Sequence, residues 1–231
     1  MPIYKHYSFD LWLTLIKSNP AFKAERARYF HDHYNVTGKS LDEVKAIFRQ
    51  VDLMVNSINE RTGKNIDADE MYLMVISIIN DFSTEFQNID IDELYERMEA
   101  LVLEHMPLIY CDRSVAVLEQ IKSGGKSTAS LLSNTGFIKG VTLRKVLKHH
   151  GLDQLLDFQL YSDEVRLSKP NKEFFQLMLD TIDRKKHLEL GLHEVIHIGD
   201  NPHADLRGAE AMGIKTLLIN SNHLTINDLL L

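Results

Sequence analysis

From about residue 112 onward, short apolar runs alternate with segments of helical period, and this alternation limits the possible folds more than any other feature of the chain. A helical pattern at 113–123 leads to "TASLLS" (128–133). Others at 137–149, 171–184 and 203–212 precede "FQLYS" (158–162), "EVIHIGD" (194–200) and "KTLLIN" (215–220). Strands that alternate with helices pair in parallel, because each parallel crossover needs a dozen residues or more. Both faces of such a sheet are covered, which predicts an α/β domain. The opening "YKHYSF" (4–9) reads as a further strand of the same sheet.

Between residues 20 and 106 the texture changes, and every periodic segment reads as helix. "SLDEVKAIFRQVDLMVNSI" opens with a capping box, Ser40 with Glu43, and puts Val44, Ile47, Phe48, Val51, Val55 and Ile58 on one stripe. "DADEMYLMVISIINDFSTEF" does the same with Met71, Val75, Ile78, Ile79, Phe82 and Phe86, and a shorter helix runs through Leu94, Met98, Leu101 and Val102. The expected organisation is a core of residues 1–17 and 109–231 with an all-helical unit, 18–108, inserted after the first strand.

The net charge of −7 argues against nucleic acid as a partner, since phosphate neutralisation needs a basic face. One cysteine, Cys111, excludes an intramolecular disulfide framework. The start lacks an apolar core with a small-residue cleavage site, and no apolar run is long enough to span a bilayer. The expectation is a cytoplasmic protein, monomeric or homodimeric, with no membrane or nucleic-acid partner.

Ligands of open parallel sheets bind beyond the carboxyl ends of the strands. There the sequence places Asp10 after the first strand, "SNT" (Ser133 to Thr135) after the second, Lys169 after the third, and "GDNPHAD", with Asp200 and Asp205, after the fourth. Taken singly, each is an ordinary cap or turn former. Together they form a set of oxygen donors suited to a hard cation, with a lysine to balance charge.

The stretches "FDLWLTL", "LLSNTG", "LSKPNKEFF" and "IGDNPHADLRGAEAMGIKT" resemble the four motifs of the haloacid dehalogenase-like (HAD) hydrolases, in the branch with a helical cap after the first motif. The resemblance covers residues 3–18 and 110–222. It implies a Rossmann-like core with an inserted helical cap, and Mg2+-dependent phosphoryl transfer to a carboxylate, with a small phosphorylated metabolite as substrate. By position, it makes Asp10 the nucleophile and a metal ligand, and Trp12 a ligand through its backbone carbonyl. Thr14 would hold the motif loop in shape. Ser133 and the Asn134 N–H would bind phosphoryl oxygens, and Lys169 would offset negative charge. Asp200 would coordinate Mg2+, with Asp205 binding the ion or its waters.

Trp12 departs from the family's phosphatases, which carry a second aspartate there as general acid and base. Indole offers one N–H and no titratable proton near neutrality. Three readings follow: a phosphatase that is slow or finds its acid elsewhere, a metal-independent 2-haloacid dehalogenase-like hydrolase, or a binding protein that keeps the fold. Family dehalogenases have an aromatic residue here but lack the paired acids of the fourth motif, so Asp200 and Asp205 favour the metal-dependent hydrolase.

Two other signals are set aside. "SGGKSTAS" (123–130) has no glycine six residues before its lysine and precedes a strand, so it reads as a turn. Among the histidines, His197 sits in an apolar strand as a core or supporting residue, while His203 lies close enough to the motif acids to exchange a proton.

Overall fold

The computed structural model describes residues 4–83, 88–186 and 190–230. Five parallel strands form the sheet, in spatial order β5-β4-β1-β6-β7. These are β1 (His6–Phe9), β4 (Thr128–Ser133), β5 (Phe158–Tyr161), β6 (Val195–Gly199) and β7 (Lys215–Leu218). The expected α/β class with a parallel, Rossmann-like sheet is present. The sheet is assembled in the register His6↔Thr128 on one side of β1 and His6↔Val195 on the other. The first strand in sequence is thus the middle strand in space, and every residue of β1, β4 and β6 is buried.

Two short strands, β2 (Ile16–Lys17) and β3 (Leu108–Ile109), pair antiparallel where the chain leaves the sheet and returns to it. Asn19 Nδ2 donates to the Met106 carbonyl at 3.1 Å and ties the two crossings together. Four helices lie between them: α1 (Pro20–His33), α2 (Leu41–Thr62), α3 (Ala68–Ile79) and α4 (Ile91–Glu104). Asn19 caps α1 with Pro20 in its first turn, and α2 carries the expected Ser40–Glu43 capping box and ends on Gly63 with φ 67°. The α2 stripe buries Val44, Ile47, Phe48, Val51 and Val55 as expected, but Ile58 is exposed and Asn59 is buried in its place. Asn59 Oδ1 accepts from the Ile66 N–H at 3.0 Å, so the polar residue satisfies the turn into α3.

The third helix corrects the sequence reading. It stops at Ile79, and Phe82, expected on the buried stripe, is 78% exposed with φ 62°. Asn80 explains the stop. Its side chain accepts from the Val36 N–H and donates to the Tyr34 carbonyl, so it serves a neighbouring loop instead of a further turn. Phe86 lies outside the described residues.

The remaining helices flank the sheet: α5 (Ser114–Ser123), α6 (Gly140–His149), α7 (Ser162–Val165), α8 (Lys172–Lys186) and α9 (Gly208–Glu210). Residues Pro202–Arg207 form a π-helical turn where a regular helix was expected. One apolar cluster runs from Tyr7, Phe9 and Leu131 in the sheet to Phe30, Phe48 and Tyr72 in the inserted helices. No helix among the described residues is long and apolar enough to cross a membrane.

One buried polar group inside the sheet has a measurable consequence. His6 is enclosed between Thr128 Oγ1 (2.7 Å) and Ser130 Oγ (2.9 Å) and stacks on Phe158. Burial pushes its pKa down from 6.5 to about 3. The folded state holds His6 neutral, whereas the unfolded chain takes up a proton below 6.5. This contribution to stability is therefore complete above pH 6.5 and is lost as pH falls towards 3, by about 1.4 kcal/mol per unit. Urea midpoints at pH 7.5 and 5.0 should drop more in wild type than in His6→Gln, by about 2 kcal/mol on conversion to free energy.

Candidate active site

Beyond Phe9 the chain keeps pairing with β6, and the Asp10 N–H donates to the Ile198 carbonyl at 2.8 Å. The strand end therefore fixes the Asp10 backbone before the side chain is considered. A tight turn follows, closed by Leu13 N–H to Ile16 O (2.7 Å) and by the Leu15 and Ile16 N–H groups on Leu11 O. Leu13 takes φ 58° to make this turn, a conformation that costs an ordinary residue roughly 1–2 kcal/mol. Asn220 Nδ2 holds the Leu13 carbonyl at 2.8 Å. Among the described residues no hydrogen bond ends on the Trp12 carbonyl, while the Trp12 ring is half-buried against the apolar cluster.

Lys169 is the centre of the site. Its ammonium, 1% exposed, donates to Asp10 Oδ1 at 2.7 Å and Asp205 Oδ1 at 2.6 Å. The Asn134 side chain holds the Lys169 backbone in place, accepting from its N–H at 2.7 Å and donating to its carbonyl at 3.0 Å. Asp205 also accepts from His197 Nε2 (3.3 Å) and from the Asn201 N–H (3.0 Å). His197 Nδ1 is bonded to Ser8 Oγ at 2.9 Å, so the histidine is a supporting residue inside the sheet.

The charges in this cluster are unequal. Burial pushes Asp10 up to about 7 despite Lys169, and Asp205 and Asp200 add to the rise. Burial, together with Asp205, also raises Asp200, to about 6. For Asp205 burial works in the same direction, but Lys169 and the His197 bond overcome it, and the carboxyl lies well below the usual range. Burial opposes the charge of Lys169, yet the two carboxylates outweigh that effect and hold its pKa above the ordinary value.

Asp10, Asp200 and Asp205 each offer an oxygen within 4.8 Å of the others. Three carboxylates around one ammonium leave an excess of negative charge, and the donors are all hard oxygen, so the set fits a divalent cation such as Mg2+. Asp205 has both oxygens engaged by protein donors, which suits it to a supporting place, whereas Asp10, Asp200 and the Trp12 carbonyl are the freer donors.

A cavity of about 710 Å3 opens above Asp10 and Lys169 and is roofed by α1 and α2. Trp12, Asn134 and Asp205 line it together with the inserted-helix residues Arg26, Phe48, Asp52 and Glu60. Thr14, Ser133 and Asp200 do not line it. Thr14 is fully buried with its hydroxyl unpartnered, and Ser133 Oγ donates to the Asn134 carbonyl at 3.0 Å. His203 is half-exposed, with Nδ1 3.3 Å from Glu60 Oε2. Glu60 also accepts from Asn201 Nδ2 at 3.0 Å, joining the end of α2 to the loop after β6. Neither Arg26 nor Glu60 was singled out from the sequence. Arg26 sits in α1, whose sequence has almost no amphipathic pattern, and Glu60 near the end of the amphipathic α2, and nothing local marks either as facing a distant strand end.

The chain matches the family model for haloacid dehalogenase-like hydrolase over residues 8–219. It is 32% identical over 112 residues to Rhythmically expressed gene 2 protein of Drosophila melanogaster, covering 48% of this chain but only 41% of that one. It is 27% identical to (S)-2-haloacid dehalogenase 1 of Pseudomonas sp. strain CBS-3, across 92% of this chain and 82% of the relative. Glyceraldehyde 3-phosphate phosphatase of Pyrococcus furiosus is 24% identical over 68% of this chain and 67% of its own length. Among solved structures, the magnesium-bound HAD-hydrolase YfnB of Bacillus subtilis superposes with a TM-score of 0.71 at 18% identity, covering 96% of this chain and 91% of that one.

Gly199 reports on how tightly the site is built. A Cβ there would overlap the Asp205 carboxylate, so only glycine lets β6 pass this close to it. Gly199→Ala should displace Asp205 from Lys169 and, by leaving a buried charge unpaired, lower stability in urea by roughly 3–5 kcal/mol, while the far-ultraviolet circular dichroism spectrum keeps its native shape.

Proposed function

The chain belongs to the haloacid dehalogenase-like hydrolases, and from that premise we propose that it is a Mg2+-dependent phosphatase that cleaves a small phosphorylated metabolite in the cytoplasm. The observation that carries this reading is the cluster of Asp10, Asp200 and Asp205 around the buried Lys169, beneath a cavity of metabolite size. Magnesium held by Asp10, Asp200 and the Trp12 carbonyl, with Asp205 binding it or its waters, would supply a Lewis acid that offsets repulsion between carboxylate and phosphate.

The protein groups then have separate tasks. An Asp10 oxygen attacks phosphorus, the P–O bond to the leaving alcohol breaks, and water later cleaves the aspartyl-phosphate. Lys169, already bonded to Asp10, stays charged and stabilises the equatorial oxygens. The Asn134 N–H and the Ser133 hydroxyl bind the phosphoryl group, the latter after turning from the Asn134 carbonyl. Residues 18–108 act as the cap that excludes water, with the β2–β3 ribbon as the hinge.

Trp12 supplies no proton to the leaving group. General acid–base catalysis contributes roughly 10²–10⁴-fold, so its loss at this position leaves a slow enzyme or one suited to good leaving groups. The cap carboxylates that line the cavity are both engaged, Asp52 with Arg49 at 3.0 Å and Glu60 with Asn201. A second reading, metal-independent 2-haloacid dehalogenation, draws on Trp12 and on the long match to the Pseudomonas enzyme. The oxygen-donor cluster weighs against it.

Purified protein should hydrolyse 4-nitrophenyl phosphate with Mg2+, lose activity in EDTA, and lose it entirely as Asp10→Asn. Trp12→Asp should raise turnover of alkyl phosphates, whose leaving groups need a proton, by about tenfold or more. Chloride release from 2-chloropropionate that persists in EDTA would establish the dehalogenase reading instead.

A further inference from the structure

Arg26, in the middle of α1, is 7% exposed and lies among three aromatic rings, its guanidinium carbon 4.1 Å from the centroid of Phe48, 4.4 Å from Phe137 and 5.1 Å from Phe22. Stacking of this kind compensates a buried cation only in part. The Arg26 Nε has no hydrogen-bond partner, and among the described residues no carboxylate lies within ion-pair distance of the guanidinium. Leaving a buried guanidinium unpaired is costly, which is why such groups are usually matched by an anion.

The other cap cations beside the cavity are differently placed. Lys45 is paired with Asp42 and Arg49 with Asp52, and Lys23 is exposed. Among the described residues, Arg26 is therefore the one buried cap cation that faces the cavity containing Asp10 and Lys169. Its burial lowers its own pKa, while the Tyr72 hydroxyl and the more distant Asp52 favour the charged form. The Tyr72 hydroxyl donates its proton to the Phe137 carbonyl at 2.9 Å, which leaves its lone pairs for the guanidinium.

We infer that Arg26 is a specificity-determining residue that receives a second anionic group of the substrate, a carboxylate or a second phosphoryl group, at the end remote from the reacting ester. The planar fork of arginine suits either oxyanion, and the rings around it hold the fork in one orientation. The inference rests on the phosphatase reading for the chemistry at Asp10, but the anion site itself does not require turnover.

Three esters test it: 2-hydroxyethyl phosphate, phosphoglycolate and ethane-1,2-diol bisphosphate. Wild type should prefer one of the two charged-ended esters over the neutral one by about 10- to 100-fold in kcat/KM, as expected for a hydrogen bond between charged groups. Which of the two is preferred separates carboxylate from phosphate. Arg26→Met should bring that ratio close to one, and Arg26→Lys should restore part of it. Removing an unpaired buried charge should also leave the Tm of the ligand-free protein unchanged or raise it. A wild-type ratio near one, an equal loss on all three esters, or a Tm lowered by many degrees in Arg26→Met would overturn the inference.

If no ester is turned over, fluorescence titration of the single tryptophan, Trp12, in the Asp10→Asn background decides. Binding of phosphoglycolate or the bisphosphate that disappears with Arg26→Met supports the anion site and removes the phosphatase reading. Binding indifferent to Arg26, or no binding, overturns the anion site.

Discussion

A single buried ammonium joins two carboxylates that enter the site from different strands, and the site's geometry depends on that contact. Lys169 bonds Asp10, which is 159 residues away in sequence, and Asp205, which is 36 away. Such a triad is stable in a dry interior only if every member stays paired, because breaking one contact strands a charge. The surrounding structure serves that requirement. Asn134 grips both sides of the Lys169 backbone, and Ser8 and His197 support Asp205 from within the sheet.

The same electrostatics separates the roles of the acids. Asp205 is held below the usual range by Lys169, while Asp10 and Asp200 rise because burial and mutual repulsion outweigh the one lysine. A cluster of this kind has one acid committed to the protein and two with capacity for a cation. In this member of the haloacid dehalogenase-like hydrolases the charged cluster stands beside an indole, Trp12, which has no proton to titrate near neutrality. Above this cluster, among the inserted helices, Arg26 is buried among the rings of Phe22, Phe48 and Phe137.

The inserted helices and the sheet domain are joined by contacts that do not involve Asp10, Lys169 or Asp205. Tyr72 reaches the Phe137 carbonyl, Lys139 reaches Asp69, and Ser168 bonds the Gly63 carbonyl. The shared apolar cluster adds to these, so the cavity roof is positioned by packing as well as by the short β2–β3 ribbon.

Local pattern determined a large part of this. The alternation of apolar runs and helical periods specified the parallel sheet, and the capping box at Ser40 located the start of α2. The strand-end rule puts Asp10, Ser133 to Thr135, Lys169, Asp200 and Asp205 at one edge of the sheet. Those signals are legible because period and capping act within a few residues. Local pattern was a poorer guide where a distant partner intervened. Asn80 ended α3 by bonding the loop at Tyr34 and Val36, which left Phe82 in solvent. Thr14, Ser133 and Asp200, named by motif position, do not line the cavity. Arg26, in the weakly patterned α1, and Glu60, in the amphipathic α2, face the strand ends only through packing. The sequence by itself determined which residues stand at the edge of the sheet. Only the tertiary structure decided which residues face them from above, because the direction of a helix face depends on docking across the whole chain.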